Sequence, residues 1–141
     1  MTEEEFWEIV DSALIDPSTP YFLEDHYLSY WNALAALPDD KLAEFASLQL
    51  DIKQRALVSN LPQVPFVVNQ GWSDLEFQNL LTGLISRGLK VFGDFLLDPE
   101  GTLGAIDRPL LLIKCEAFDY APLAIQGERK RTCQANDLPD Q

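Results

Sequence analysis

The sequence predicts an all-α fold: a single compact domain of five or six helices with an irregular segment around residues 58–71. Three observations carry that reading. Apolar side chains recur three and four positions apart over most of the chain, which is the spacing of one helix face. A helix-start signature of the same design occurs twice, at Thr2 and at Ser73. Prolines and acidic turn residues, as in "DPSTP" and "PDD", punctuate the chain at helix-length intervals. The 141 residues, 47% hydrophobic and 11% aromatic, suffice for one domain with a sizeable core. The helical domain is expected over residues 1–121, with a polar, mobile tail over 122–141.

The first helix follows from "MTEEEFWEIV". Thr2 caps it, Glu5 closes a capping box, and Met1 and Phe6 take the two positions of a hydrophobic staple. Glu3, Glu4 and Glu5 meet the positive end of the helix dipole, and Phe6, Trp7, Val10, Ala13 and Leu14 form the apolar stripe. A second helix is predicted from Leu23 to Leu37, with Tyr27, Trp31, Leu34 and Leu37 inward and Tyr30 flanking. A third runs from "PDD" to about Leu57 on Leu42, Phe45, Ala46, Gln49, Ile52 and Ala56, with Gln49 leaving part of that face wet. Pro62 and Pro65 then forbid an uninterrupted helix. "FVV", Phe66 to Val68, is read as either an extended segment crossing the core or one irregular turn.

The stretch "NQGWSDLEFQ" reads as a helix start rather than a reactive site. Ser73 is the cap, Glu76 closes the box, and Trp72 and Phe77 repeat the staple. Asn69, Gln70 and Gly71 supply the turn. Phe77, Leu80, Leu81, Leu84 and Ile85 point inward, and Gly88 is placed for a left-handed C-cap with Leu89 folding back towards Leu84. A short helix from Leu89 to Leu97 presents Val91, Phe92, Phe95 and Leu96, and "DPEGTLG" (Asp98 to Gly104) has loop composition. "PLLLIKCEAFDYA", Pro109 to Ala121, permits a last core helix, although Leu110 to Ile113 equally suits a buried strand. Its length and the spacing of Lys114, Glu116 and Asp119 favour the helix.

Charge narrows the function. Ten basic and 23 acidic residues leave −13, and residues 1–51 hold twelve acids against the single base Lys41. Such a field repels a phosphate backbone, so nucleic-acid binding is not expected; a basic protein partner is. No apolar run approaches the ~20 residues that span a bilayer, and the acidic N-terminus is unlike a signal peptide. With two cysteines and no CxxC pair, the chain is expected in the cytoplasm with reduced thiols. Cys115 reads as a core thiol, whereas "ERKRT" before Cys133 would lower a thiol pKa.

For chemistry, the lone histidine, His26, has no spacing that brings it to Ser73 or Cys115 and reads as solvated or at the core edge. Metal-dependent carboxylate chemistry has a better basis. Glu5 and Glu8 lie three apart on the first helix, as do Glu116 and Asp119 on the last, and such pairs can chelate a hard cation that holds a phosphate substrate. The same spacing is what any solvated helix face shows. The leading expectation is therefore non-enzymatic, an acidic interaction module with no cofactor, and the alternative is a divalent-metal phosphohydrolase on those four carboxylates.

"EEEFWEIV", "NQGWSDLEFQNLLTGLISRGLKVF" and "LLDPEGTL" together resemble a mainly bacterial family of uncharacterised, mostly helical proteins, domain of unknown function family 4240. The family's Phe-Trp pair is matched by Phe6 and Trp7. Its Gly-x-Ser-Asp-x-x-Phe signature is matched by Gly71, Ser73, Asp74 and Phe77. Its Leu-Ile-Ser-x-Gly segment is matched by Leu84, Ile85, Ser86 and Gly88, and the aliphatic-Phe pair by Val91 and Phe92. The likeness covers about residues 2 to 120 and departs at Pro62, Pro65 and beyond Pro122. It implies an all-α cytoplasmic protein and supplies no catalytic residue.

Overall fold

A computed structural model describes residues 1–15, 22–59, 69, 71–104 and 116–137. Among them are seven helices and no strand: α1 (Glu3–Ser12), α2 (Leu23–Ala35), α3 (Asp39–Val58), α4 (Asp74–Ser86), α5 (Leu89–Leu97), α6 (Pro99–Gly104) and α7 (Glu116–Asp137). The all-α expectation holds, with more helices than the five or six expected. The irregular segment, apart from its edges, and most of the Pro109–Ala121 run lie outside the described residues.

Both predicted helix starts form. The Thr2 hydroxyl accepts from the Glu5 N–H at 3.2 Å, but the Glu5 carboxylate meets the Thr2 hydroxyl rather than the Thr2 backbone N–H, so this box is half made. At Ser73 the box is reciprocal: the Glu76 N–H donates to Ser73 Oγ at 3.1 Å and the Ser73 N–H to Glu76 Oε1 at 3.3 Å. Trp72 stacks on Phe77 with ring centroids 6.1 Å apart, completing the staple. The Ser73 hydroxyl is thus engaged with the backbone, as a helix start requires.

Two local expectations are corrected. "DPEGTLG" contains the helix α6. The Asp98 carboxylate accepts from the Gly101 N–H at 3.1 Å and the Asp98 carbonyl from the Thr102 N–H at 3.1 Å, so Asp98 and Pro99 act as a cap and a first helical residue. A Cβ on Gly101 would collide with the Asp98 carboxylate. Gly88 has φ +102 but ψ 168, so it is not a left-handed helical cap. It ends α4 by donating to the Ile85 carbonyl and begins α5 by accepting from the Phe92 N–H. Leu89 is half exposed instead of folded back, and its N–H is taken by the Asp11 carboxylate of α1 at 3.2 Å.

The core is threaded by aromatic rings in contact. Phe92 of α5 meets Trp7 (5.7 Å), Trp7 meets Phe6 (5.1 Å), Phe6 meets Phe45 of α3 (4.6 Å), and Phe45 meets Tyr30 of α2 (6.0 Å). Tyr30 meets Phe118 of α7 at 5.0 Å, and Phe118 also touches His26 and Tyr27. Around this chain α7 packs on α2, α3 and α4, while α1 packs on α2, α3 and α5. The α2 face is rotated from the expected one: Leu23, His26, Tyr30 and Leu34 are buried, with Tyr27 and Trp31 at the margin. Phe118 arriving from α7 decides that rotation, and residues nearly ninety positions away are invisible to a stripe read within α2.

The last helix extends past residue 122, where a polar tail was expected to begin. α7 continues unbroken through Pro122 to Asp137, and Ile125 is buried in the core. Arg129 lies in the supposed tail and clamps the α2–α3 corner. Its guanidinium donates to the Ala35 and Leu37 carbonyls at 2.9 and 2.8 Å and to Asp39 at 2.6 Å. The Ala35 carbonyl is one that the end of α2 leaves without a helical partner, and Leu37 lies in the turn just beyond it. Residues 122–129 are therefore part of the folded domain.

Candidate functional site

The outward surface of the first three helices is acidic. Of the twelve acids in residues 1–51, all but Asp16 are described, and every one of those is exposed. Some serve the fold. Glu44 pairs with the Met1 ammonium at 3.0 Å and with Lys41, and the bond to that ammonium holds its carboxyl below the ordinary value. Arg55 bridges Glu3 and Asp51, and Asp39 holds Arg129. Others make no ion pair with a described residue: Glu4, Glu8, Asp25 and Asp40. Glu4 and Glu8 are one turn apart and share a face of α1.

A buried polar seam joins α3 to α7. Gln49, expected at a wet interruption of the α3 stripe, is buried, and its amide nitrogen donates to Tyr30 Oη at 3.2 Å and to the Phe118 carbonyl at 3.1 Å. The second bond has a specific origin. Proline has no N–H, so Pro122 within α7 removes the helical donor that would satisfy the carbonyl four residues earlier, that of Phe118. Gln49 replaces it from another helix. One turn along α3, Lys53 is buried and donates to Asp119 at 2.5 Å. Burial, with the Asp119 charge adding to it, pushes the Tyr30 hydroxyl far above its ordinary pKa and keeps it neutral.

The Gln49 bond makes a sharp prediction. Gln49→Leu orphans the Phe118 carbonyl and is expected to destabilise the fold by about 1–3 kcal/mol in urea unfolding. Adding Pro122→Ala restores a helical donor to that carbonyl, so the double variant should recover about 1 kcal/mol relative to the sum of the single effects. Additive losses would show that Gln49 does not stand in for the missing N–H.

His26 is 1% exposed, against the expectation of a solvated or core-edge side chain. It sits 4.9 Å from the Phe118 ring and bonds to the Ser86 backbone. Burial, with the Arg87 guanidinium adding to it, lowers its pKa from 6.5 to about 4, against a smaller opposing effect of the Ser86 bond. It is a neutral core histidine at pH 7.

Of the four carboxylates of the metal reading, the three whose side chains are described, Glu5, Glu8 and Asp119, do not form a group that could share an ion. Glu5 and Glu8 are exposed on α1, Glu5 being bonded to the Thr2 hydroxyl, while Asp119 is held by Lys53 in the α3–α7 seam. The Glu116 side chain lies outside the described residues, as do Cys115 and the side chain of Cys133. No group of three or more His, Cys, Asp or Glu is placed to share an ion among the described residues.

Sequence reasoning missed Lys53 and Arg129. Lys53 lies four residues after Gln49, so two polar residues on one face of α3 signalled a polar partner across the interface. Arg129 was hidden in "ERKR", whose composition looks solvated, and only the position of the α2 terminus reveals its role.

No described helix is long and apolar enough to cross a membrane. No curated protein and no solved structure matches the chain. A family model described as "Protein of unknown function (DUF4240)" matches residues 1–124, which takes in α1 to α6 and the start of α7 up to and beyond Pro122. The Phe6–Trp7 pair at the core and the Ser73 cap that carried the resemblance both lie in the matched span, and the chain belongs to the DUF4240 family of proteins of unknown function.

Proposed function

We propose that the chain is a non-enzymatic interaction module whose acidic leading helices dock a basic protein partner. The observation that supports it is the set of exposed carboxylates that make no ion pair within the described chain, Glu4 and Glu8 on α1 with Asp25 and Asp40 on α2 and α3. An excess of like charge on the surface repels itself and destabilises the folded state. A cationic partner relieves that repulsion, and the field speeds its approach. One concrete version is an immunity or regulatory protein that covers the basic surface of a toxin or nuclease.

Affinity capture at low and high salt, with recovered proteins identified by mass, tests the reading. The wild-type chain should retain basic proteins that are released as salt screens the charges. Glu4→Lys with Glu8→Lys should abolish that capture, while Asp74→Lys with Glu100→Lys, which changes net charge equally on α4 and α6, should leave it intact. Loss in both double variants means bulk charge and no docking surface. Partners indifferent to salt count against the reading altogether.

A further inference from the structure

Between α3 and α7 lies a cavity of about 300 Å³, at the lower end of the range of small-molecule sites. Leu50 of α3 and Tyr120 and Leu123 of α7 give it apolar walls, and each is at least half exposed. Ser47, Gln49 and Asp119 line it with polar groups.

Gln49 stands apart from the rest of that lining, because it is 3% exposed and only half satisfied. Its amide nitrogen donates to Tyr30 Oη and to the Phe118 carbonyl. That carbonyl can only accept, so the nitrogen must face it and the amide oxygen must turn away. Oε1 accepts no hydrogen bond from a described residue, yet it is not sealed from solvent. The open space that Gln49 borders is this cavity. A buried acceptor without a donor is costly to leave unmade, and a donor arriving through the cavity completes it.

The charge of the lining is already matched. Asp119 is held by buried Lys53 at 2.5 Å, so an ion entering the cavity would lose its hydration without finding a free counter-charge there. The Ser47 and Tyr120 hydroxyls make no hydrogen bond with a described residue and can serve a second polar atom at the mouth.

We propose that this cavity binds a small uncharged carboxamide, its N–H donating to Gln49 Oε1 and its apolar body lying against Leu50, Tyr120 and Leu123. The carbonyl of such a ligand accepts from the Tyr120 or Ser47 hydroxyl. The site lies apart from the α1 acids, and the proposal does not rest on the docking of a basic partner.

Three probes separate the contributions. Benzamide carries the N–H donors on an aromatic body, acetophenone has the same shape without them, and benzamidine carries them with a positive charge. Binding is followed by backbone and side-chain amide shifts of the isotope-labelled full chain. Benzamide should bind at least about tenfold more tightly than acetophenone, the discrimination expected of one buried hydrogen bond. It should move the Gln49 side-chain amide together with the backbone amides of Leu50, Tyr120 and Leu123. Ser47→Phe, which adds a ring at an exposed position on the cavity wall, should abolish those shifts and leave the melting temperature unchanged. Equal binding of benzamide and acetophenone reduces the cavity to an apolar cleft and overturns the proposal. Tighter binding of benzamidine than of benzamide shows that charge is read, and overturns the uncharged class. No binding of benzamide, shifts that leave Gln49 unmoved, or binding retained in Ser47→Phe each overturn the site itself.

Discussion

Phe118→Ala is expected to destabilise the protein by about 3–5 kcal/mol, the largest single-residue effect in the fold. Phe118 is fully buried and touches the rings of His26, Tyr27 and Tyr30, with centroids at 4.9, 5.5 and 5.0 Å. Truncation removes the apolar contact of a whole ring, leaves a cavity where α2, α3 and α7 meet, and takes away edge-to-face pairs worth about 0.5–1.5 kcal/mol each. The backbone carbonyl of the same residue anchors Gln49, so a shift of α7 into the cavity would also strain the α3 seam. Against a total stability of about 5–15 kcal/mol this is a severe loss. Urea unfolding monitored by circular dichroism measures it. Phe77→Ala is the control, since Phe77 is slightly exposed and among the described residues its ring contact is with Trp72. A Phe118 loss no larger than the Phe77 loss would show that the ring is not the junction of the helices.

Acidification is expected to remove about 3 kcal/mol through His26 alone. The unfolded chain protonates this residue near pH 6.5, the folded one near 4, because burial and then the Arg87 charge oppose the imidazolium. The unfolded state therefore binds more protons between those values, and the stability associated with a neutral His26 is full above pH 6.5 and lost as pH falls towards 4. By pH 4.5 the loss amounts to about 2.5 kcal/mol, and below pH 4 it levels off. His26→Gln keeps a hydrogen-bond donor for the Ser86 backbone and has no charge to gain. Unfolding free energies at pH 7 and pH 4.5 should fall about 2.5 kcal/mol further for the wild type than for the variant, since the carboxylates are common to both. Equal pH dependence in the two proteins would mean that His26 is hydrated or that its site relaxes to accept a proton.

The position of His26 also marks where reading a chain without its fold stops working. Its neighbours Glu24 and Asp25 are exposed, and "LEDHY" has the composition of a surface segment. The side chain is buried because Phe118 and the end of α4 close over it. The same holds for Gln49, whose partner carbonyl lies 69 residues away, and for the α2 stripe, which turned by one position to face α7. The helix starts at Thr2 and Ser73 were legible because a cap involves residues three apart in the chain. Asp98–Pro99 carried a signal of the same kind and was overridden by the glycines that follow it. For the candidate site, the acidity of residues 1–51 was fully legible. Which of those acids lack an ion pair among the described residues was not.

The sequence by itself determined the helical class, the two capped starts, most of the inward-facing residues and the charge of the leading third. These are set by spacings of three and four residues and by composition, which act within one helix. Tertiary structure alone decided that Pro122 is carried inside α7 by Gln49, that Lys53 is buried against Asp119, and that Arg129 closes the α2–α3 corner. Each of these pairs a polar group with a partner more than sixty residues distant, and burial of a polar group is tolerated only where such a partner arrives.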